Sequence, residues 1–215
     1  MYLLFDLDGT LTKPEMGITN SIKYALNKFG IVETDGAKLR LCIGPPLIDS
    51  FMDVWGFDQT KAELAVELYR EYFTDRGLFE NEVYDGIHTL LKELCEQGHH
   101  IFLATSKPEE YATRILEHFD LLEYFTAVVG NTLKEERPKK EDVLRYILDC
   151  YPEINPKNAI MIGDRKYDVI GAKTFGIQSV GVLYGYGSEQ ELQEAGADYI
   201  CKTVAKLAEL LKEQI

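Results

Sequence analysis

From Asp85 onward, short apolar runs alternate with helix-period segments, and this alternation leaves the chain few architectures to choose from. The runs His100–Ala104, Thr126–Val129, Ala159–Ile162, Ser179–Leu183 and Asp198–Cys201 have the length and residue types of buried strands. Between them, apolar residues recur at helical spacing. One helix carries Ile87, Leu90, Leu91 and Leu94, opened by Asp85-Gly86 and stopped by Gly98. Others carry Ile115, Leu116 and Phe119; Val143, Leu144, Ile147, Leu148 and Tyr151; Ala172 and Phe175, closed by Gly176; and Val204, Leu207 and Leu211. A further apolar run, Met1–Phe5, stands at the N-terminus. Strand–helix alternation of this kind predicts an α/β fold, a Rossmann-like parallel sheet with helices on both faces.

The pattern is interrupted once. Between Pro14 and Asp75 no period-2 alternation occurs, and the texture is helical throughout. Ile22, Ala25, Leu26 and Phe29 mark one helix that Gly30 ends. Lys38–Ile43 and Leu47–Val54 read as two short helices divided by Gly44-Pro45-Pro46. A longer helix is predicted from Asp58 as N-cap, burying Leu64, Ala65, Leu68, Tyr69 and Tyr72. Residues 1–13 and 82–215 therefore read as an α/β core, and residues 14–81 as a small all-α domain inserted into it.

Composition narrows the function classes. A net charge of −13 argues against nucleic acid or an anionic membrane as partner. It also repels phosphorylated ligands at long range, so any phosphate site must be made locally positive. The four cysteines (Cys42, Cys95, Cys150, Cys201) are widely spaced, and each is expected to pack as a buried free thiol in a reducing compartment. The four histidines lack metal-ligand spacing, and no apolar run is long enough to span a bilayer. With no signal-peptide pattern ahead of Asp6, a cytoplasmic protein is expected.

The first apolar run ends in Asp6-Leu7-Asp8-Gly9-Thr10-Leu11-Thr12. Both aspartates then stand at a strand's carboxyl end, where open α/β sheets bind ligands. Two carboxylates this close ionise together cheaply only beside a cation. Ile160–Ile162 runs into Gly163-Asp164-Arg165-Lys166-Tyr167-Asp168, and a spacing of four puts Asp164 and Asp168 on adjacent turns of one helical face. Phe102–Lys107 is a strand ending in hydroxyl residues, and Ser106-x-x-Glu109 reads as a capping box. Arg137-Pro138-Lys139-Lys140 places cations at a helix start, where the dipole mildly disfavours them.

In this order, these stretches resemble the motifs of the haloacid dehalogenase superfamily. The helical insert between the first two resembles the phosphoglycolate phosphatase-like branch, in which such inserts act as caps over the site. Gly44-Pro45-Pro46-Leu47 is similar to a turn in caps of bacterial phosphoglycolate phosphatases and 5′-nucleotidases, and with Arg40 nearby it is a candidate substrate-facing loop.

The resemblance implies a phosphomonoester hydrolase working through an aspartyl-phosphate. Asp6 would be the nucleophile and Asp8 the general acid and base. Dehalogenating members typically lack that second aspartate, so its presence favours phosphoryl transfer. Lys140 would neutralise nucleophile and phosphate, with Lys139 and then Arg137 as alternatives, because the usual Lys-Pro-x-Pro context is missing. Thr105, Ser106, Gly9 and Thr10 would contact the phosphate. Asp6, the Asp8 carbonyl and Asp164 would hold Mg²⁺, with Asp168 acting through water or the lysine. The implied partner is a small phosphorylated metabolite, and the implied state a monomer or homodimer. A 5′-nucleotidase, a phosphosugar mutase resembling β-phosphoglucomutase and an inactive binding protein are the alternatives.

Overall fold

The computed structural model describes residues 1–214. Six strands form one sheet: β1 (Tyr2–Phe5), β2 (His100–Pro108), β3 (Ala127–Asn131), β4 (Ala159–Gly163), β5 (Gln178–Val182) and β6 (Tyr199–Cys201). Their order is β3-β2-β1-β4-β5-β6 and every pairing is parallel. The register sets Leu4 beside Phe102 and Met161 across the three central strands.

The fold separates into two compact units, Met1–Thr12 with Val83–Ile215, and Lys13–Glu82. In the second unit, α1 (Glu15–Lys28), α2 (Gly36–Arg40), α3 (Leu47–Trp55) and α4 (Gln59–Tyr72) are followed by a π-helical turn, Phe73–Gly77. In the first, α5 (Ile87–Glu96), α6 (Glu109–His118), α7 (Lys140–Cys150), α8 (Lys166–Thr174), α9 (Glu189–Ala195) and α10 (Val204–Gln214) accompany the strands.

Both faces of the sheet are buried. Leu4, Phe102 and Met161 pack with Val143, Leu144 and Ile147 of α7 and Ala172 of α8. Leu3, Phe5, Ile101 and Leu103 point the opposite way under strand alternation and are equally inaccessible. This double burial explains why the strands are apolar runs without alternation.

Several local expectations change. β2 does not stop at Ala104 but runs to Pro108, which pairs with Asn131 after a register shift. Pro108 holds Lys107 extended, and the helix starts only at Glu109. The Ser106 capping box therefore does not form. Asp164 lies outside α8, which begins at Lys166 with Arg165 as its N-cap, so Asp164 and Asp168 do not share a helical face. Lys38–Ile43 is replaced by Gly36–Arg40, because the Asp35 carboxylate caps the N–H groups of Ala37 and Lys38. On α4, Ala62, Ala65, Val66 and Tyr69 form the buried stripe and Leu64 is 47% exposed, turned away from it. Cys150 is exposed and Cys95 half-buried, whereas Cys42 and Cys201 are buried. The short helix α9 has no counterpart in the apolar pattern, since Leu192 is its one buried residue.

Candidate active site

In the order β3-β2-β1-β4-β5-β6, successive connections leave β1 in one direction and then return across it to β4. Such a switch point opens a crevice at the carboxyl ends of the two strands on either side. β1 delivers Asp6 there, and the Asp6 N–H continues the ladder by donating to the Ile162 carbonyl at 2.9 Å. β4 delivers Asp164 one residue past its end.

After Asp6 the chain winds tightly. The N–H groups of Thr10, Leu11 and Thr12 all donate to the Leu7 carbonyl, and the Gly9 N–H donates to Thr12. Gly9 has φ +85°, a left-handed conformation that costs glycine little. A methyl group there would also strike the Asp164 carboxylate. The amides of Gly9 and Thr10 thus bond within the turn, while the buried Thr10 Oγ1 has no hydrogen-bond partner among the described residues.

Lys140, the first residue of α7, is 3% exposed and lies across the base of the crevice. Its Nζ donates to Asp6 Oδ1 at 2.8 Å and to the Ala104 carbonyl at 2.7 Å, and lies 2.8 Å from Asp168 Oδ1. The other two candidates for this position are elsewhere. Lys139 is exposed at the helix start, and Arg137 pairs with Glu109 at 3.1 Å and stacks on Tyr146.

The remaining motif residues assemble around this contact. Asp6, Asp164 and Asp168 each offer a carboxylate oxygen, and these oxygens lie within 4.8 Å of one another. Asp168 also accepts the Arg165 N–H at 3.1 Å, which anchors it as the third residue of its helix. Asp164 is fully inaccessible. Its Oδ2 accepts the Tyr186 N–H at 2.7 Å, and its Oδ1 has no hydrogen-bond partner among the described residues. Asp8 forms an ion pair with Lys107 at 2.8 Å. Thr105 is buried, and its Oγ1 accepts the Lys107 N–H at 3.2 Å. Ser106, half-buried on β2, caps no helix.

Electrostatics follow from this crowding. Burial pushes Asp164 well above the usual carboxylate range, and Asp6 and Asp168 push it further. Burial also raises Asp168, to about 6, against the pull of Lys140. Burial raises Asp8, with Lys107 opposing. For Lys140, burial alone would favour the neutral amine, but Asp168 and Asp6 outweigh it and raise the pKa. The ammonium is therefore retained. Were all three carboxylates ionised against one ammonium, two negative charges would remain, which a divalent cation would neutralise, opposing the upward shifts of Asp164 and Asp168. An all-oxygen donor set with an unpartnered buried Asp164 oxygen suits a hard cation such as Mg²⁺.

Two parts of the site escaped the sequence reading. Lys107 was available as the residue after Thr105-Ser106, but the capping-box reading assigned that stretch to a helix start instead of an extended strand. The Tyr184-Gly185-Tyr186-Gly187 turn shows as a glycine cluster after β5, yet nothing in its spacing tied it to Asp164.

A family model described as haloacid dehalogenase-like hydrolase matches residues 3–182. The chain belongs to that family. It is similar to a 5′-nucleotidase of Pseudomonas aeruginosa, 44% identical over 98% of this chain and 95% of the relative. It is 37% identical to the tyrosine-protein kinase PtkA of Mycobacterium tuberculosis over 94% of its own length but only 65% of that protein. At lower identity, 26%, it aligns with a phosphoglycolate phosphatase of Vibrio vulnificus over 97% of this chain and 95% of the relative. A crystal structure of a predicted phosphatase from Clostridium acetobutylicum superposes with TM-score 0.93 at 50% identity, covering 99% of this chain and 98% of that one. The family resemblance and the α/β fold expected from the sequence are both borne out.

Proposed function

We propose that the chain is a Mg²⁺-dependent phosphomonoester hydrolase acting on a small phosphorylated metabolite through an aspartyl-phosphate. The observation that carries this is the convergence of Asp6, Lys140, Asp164 and Asp168 from distant parts of the sequence at one strand switch point.

A carboxylate oxygen of Asp6 attacks phosphorus, forming an oxygen–phosphorus bond as the bond from phosphorus to the ester oxygen breaks. Asp8 gives that oxygen its proton, which burial helps it retain at the start of the cycle. As a carboxylate, Asp8 then takes a proton from the water that attacks the aspartyl-phosphate, releasing phosphate and restoring Asp6. Lys107 holds the Asp8 side chain in place at 2.8 Å. Lys140 fixes Asp6 and offsets charge near the incoming phosphate, and the Thr105 hydroxyl, which accepts the Lys107 N–H, donates its proton to a phosphoryl oxygen in this reading. Mg²⁺, held by Asp6, Asp164 and the Asp8 carbonyl with Asp168 behind them, would supply charge neutralisation for the phosphoryl group.

Residues 14–81 serve as the cap in this reading, and the Gly44-Pro45-Pro46 turn is its candidate specificity loop. A nucleoside 5′-monophosphate is the first substrate to test, since the 5′-nucleotidase relative is the more similar of the two phosphatase relatives. Among the described residues no helix is long and apolar enough to cross a membrane. Four free cysteines fit a reducing cytoplasm.

The test is hydrolysis of an aryl phosphate in Mg²⁺ by the parent and by Asp6→Asn. Loss of turnover in a folded Asp6→Asn protein is expected, and retained turnover rejects Asp6 as nucleophile. A panel of nucleoside 5′-monophosphates, phosphoglycolate and sugar phosphates then sets the substrate. A 6-phosphate formed from a hexose 1-phosphate would indicate a mutase instead.

A further inference from the structure

Between β5 and α9 runs Leu183-Tyr184-Gly185-Tyr186-Gly187-Ser188, a segment that none of the proposed chemical steps uses. It lies closely against the acidic cluster. The Tyr186 N–H donates to Asp164 Oδ2 at 2.7 Å. A methyl group at Gly185 would collide with the Gly9 carbonyl and the Asp164 carboxylate, and one at Gly187 with the Asp164 carbonyl. The Tyr184 hydroxyl donates to the Thr10 carbonyl at 3.1 Å, and its ring packs edge-on against Tyr84 with centroids 4.8 Å apart. The turn therefore grips both acidic loops, the one after β1 and the one after β4.

The two oxygens of Asp164 are treated unequally. One is committed to the Tyr186 N–H, and the other is buried without a hydrogen-bond partner among the described residues. An inaccessible carboxylate oxygen left in that condition costs free energy unless something compensates it. A carboxylate held by a fixed donor on one oxygen presents the other in a single direction, as hydrogen bonds behind metal ligands do.

We propose that the Tyr184–Gly187 turn is the positioning device for Asp164: the Tyr186 N–H fixes one carboxylate oxygen so that the other is aimed at the divalent cation. Gly185 and Gly187 are glycines because the backbone must approach Asp164 more closely than any side chain allows. Tyr184 sets the distance between this turn and the Asp6–Thr12 loop through the Thr10 carbonyl. This inference rests on the metal reading proposed above. It assigns positioning roles to residues that touch neither substrate nor the reacting atoms.

The experiment is calorimetric titration of Mg²⁺ into the parent, Gly185→Ala, Gly187→Ala, Tyr184→Phe, Asp164→Asn and Gly176→Ala, with circular dichroism as a check of folding. Gly176 has positive φ and open space around it, so its alanine variant reports the cost of losing a glycine away from the turn. Gly185→Ala and Gly187→Ala are expected to weaken Mg²⁺ binding about 10- to 100-fold, the usual effect of disturbing a group behind a metal ligand. Gly176→Ala should bind as the parent does. At saturating Mg²⁺ the glycine variants should regain kcat, a recovery that damage to the chemistry itself would not show. Should either glycine variant fail to fold, Tyr184→Phe decides alone, since it removes one hydroxyl and keeps the ring: weaker Mg²⁺ binding supports the inference and parental binding overturns it. Folded glycine variants with parental affinity, alongside a weakened Asp164→Asn, overturn the positioning role only. Parental affinity in Asp164→Asn overturns the metal reading and this inference with it.

Discussion

Lys140 is a buried positive charge in contact with both Asp6 and Asp168, so its removal tests the charge balance directly. In Mg²⁺-free buffer at neutral pH, Lys140→Met should destabilise the protein by about 3–5 kcal/mol, the usual result of stripping one partner from a buried ion pair. The loss should shrink in acid, where the abandoned carboxylates take up protons. Urea denaturation across pH measures it, and a uniform loss at every pH would contradict it. Cys42 offers a pH effect of the opposite sign. Burial raises its thiol from 9.0 to about 11. The folded chain therefore keeps the proton over a window in which the unfolded chain releases it. The stability from that proton is complete below 9.0 and lost as pH rises through about 11. Alkylation near pH 8 should accordingly modify the exposed Cys150 first and Cys42 last, as mass spectrometry of timed samples would report. Simultaneous labelling would mean that the helical unit opens freely.

At the scale of elements, caps and stripes carry different weights. Asp58 accepts the Lys61 N–H at 2.8 Å as the N-cap of α4, and Asp58→Ala should cost about 1 kcal/mol in thermal or urea denaturation. Phe51 is buried against Trp55 and Phe57, and Phe51→Ala should cost about 3–5 kcal/mol. Leu64→Gln should stay within about 0.5 kcal/mol of the parent, because Leu64 lies off the stripe. The three together check the face assignment, and a large loss in Leu64→Gln would reverse it. The same elements show what a sequence can disclose. Asp58, Gly98 and Gly176 act locally, so their residue types marked helix ends before any packing was known. The strands were legible because double burial leaves them apolar throughout. Leu64 misled because leucine raises the apolar signal wherever it sits, while small residues such as Ala62 carry the contact. Ser106-x-x-Glu109 misled because pairing of Pro108 with Asn131 outweighs a local capping preference. The Asp6, Lys140 and Asp164 grouping was readable through motif resemblance. Lys107 and the Tyr184–Gly187 turn reach the site only through tertiary placement, which spacing does not encode.

For the whole molecule, the net charge of −13 and the local field of the site act in opposite directions. A phosphate monoester carries negative charge, so the distant field repels it, whereas the lysines and the proposed divalent cation would attract it at close range. Screening acts mainly beyond a Debye length of about 10 Å at 0.1 M salt, and buried pairs are screened much less. Added salt should therefore remove the long-range repulsion while leaving the close attraction between Lys140 and Asp6 nearly intact. It follows that kcat/KM for a dianionic substrate should rise from low to physiological ionic strength at constant free Mg²⁺, with the gain in KM and not in kcat. A substrate of lower charge should respond less. Steady-state kinetics with a nucleoside monophosphate and with a phosphomonoester whose leaving group carries a cationic amine, and so has a lower net charge, would check this. A fall in kcat/KM with salt would mean instead that attraction from the lysines and the proposed cation reaches far enough into solvent to steer substrate, overriding the charge of the rest of the surface.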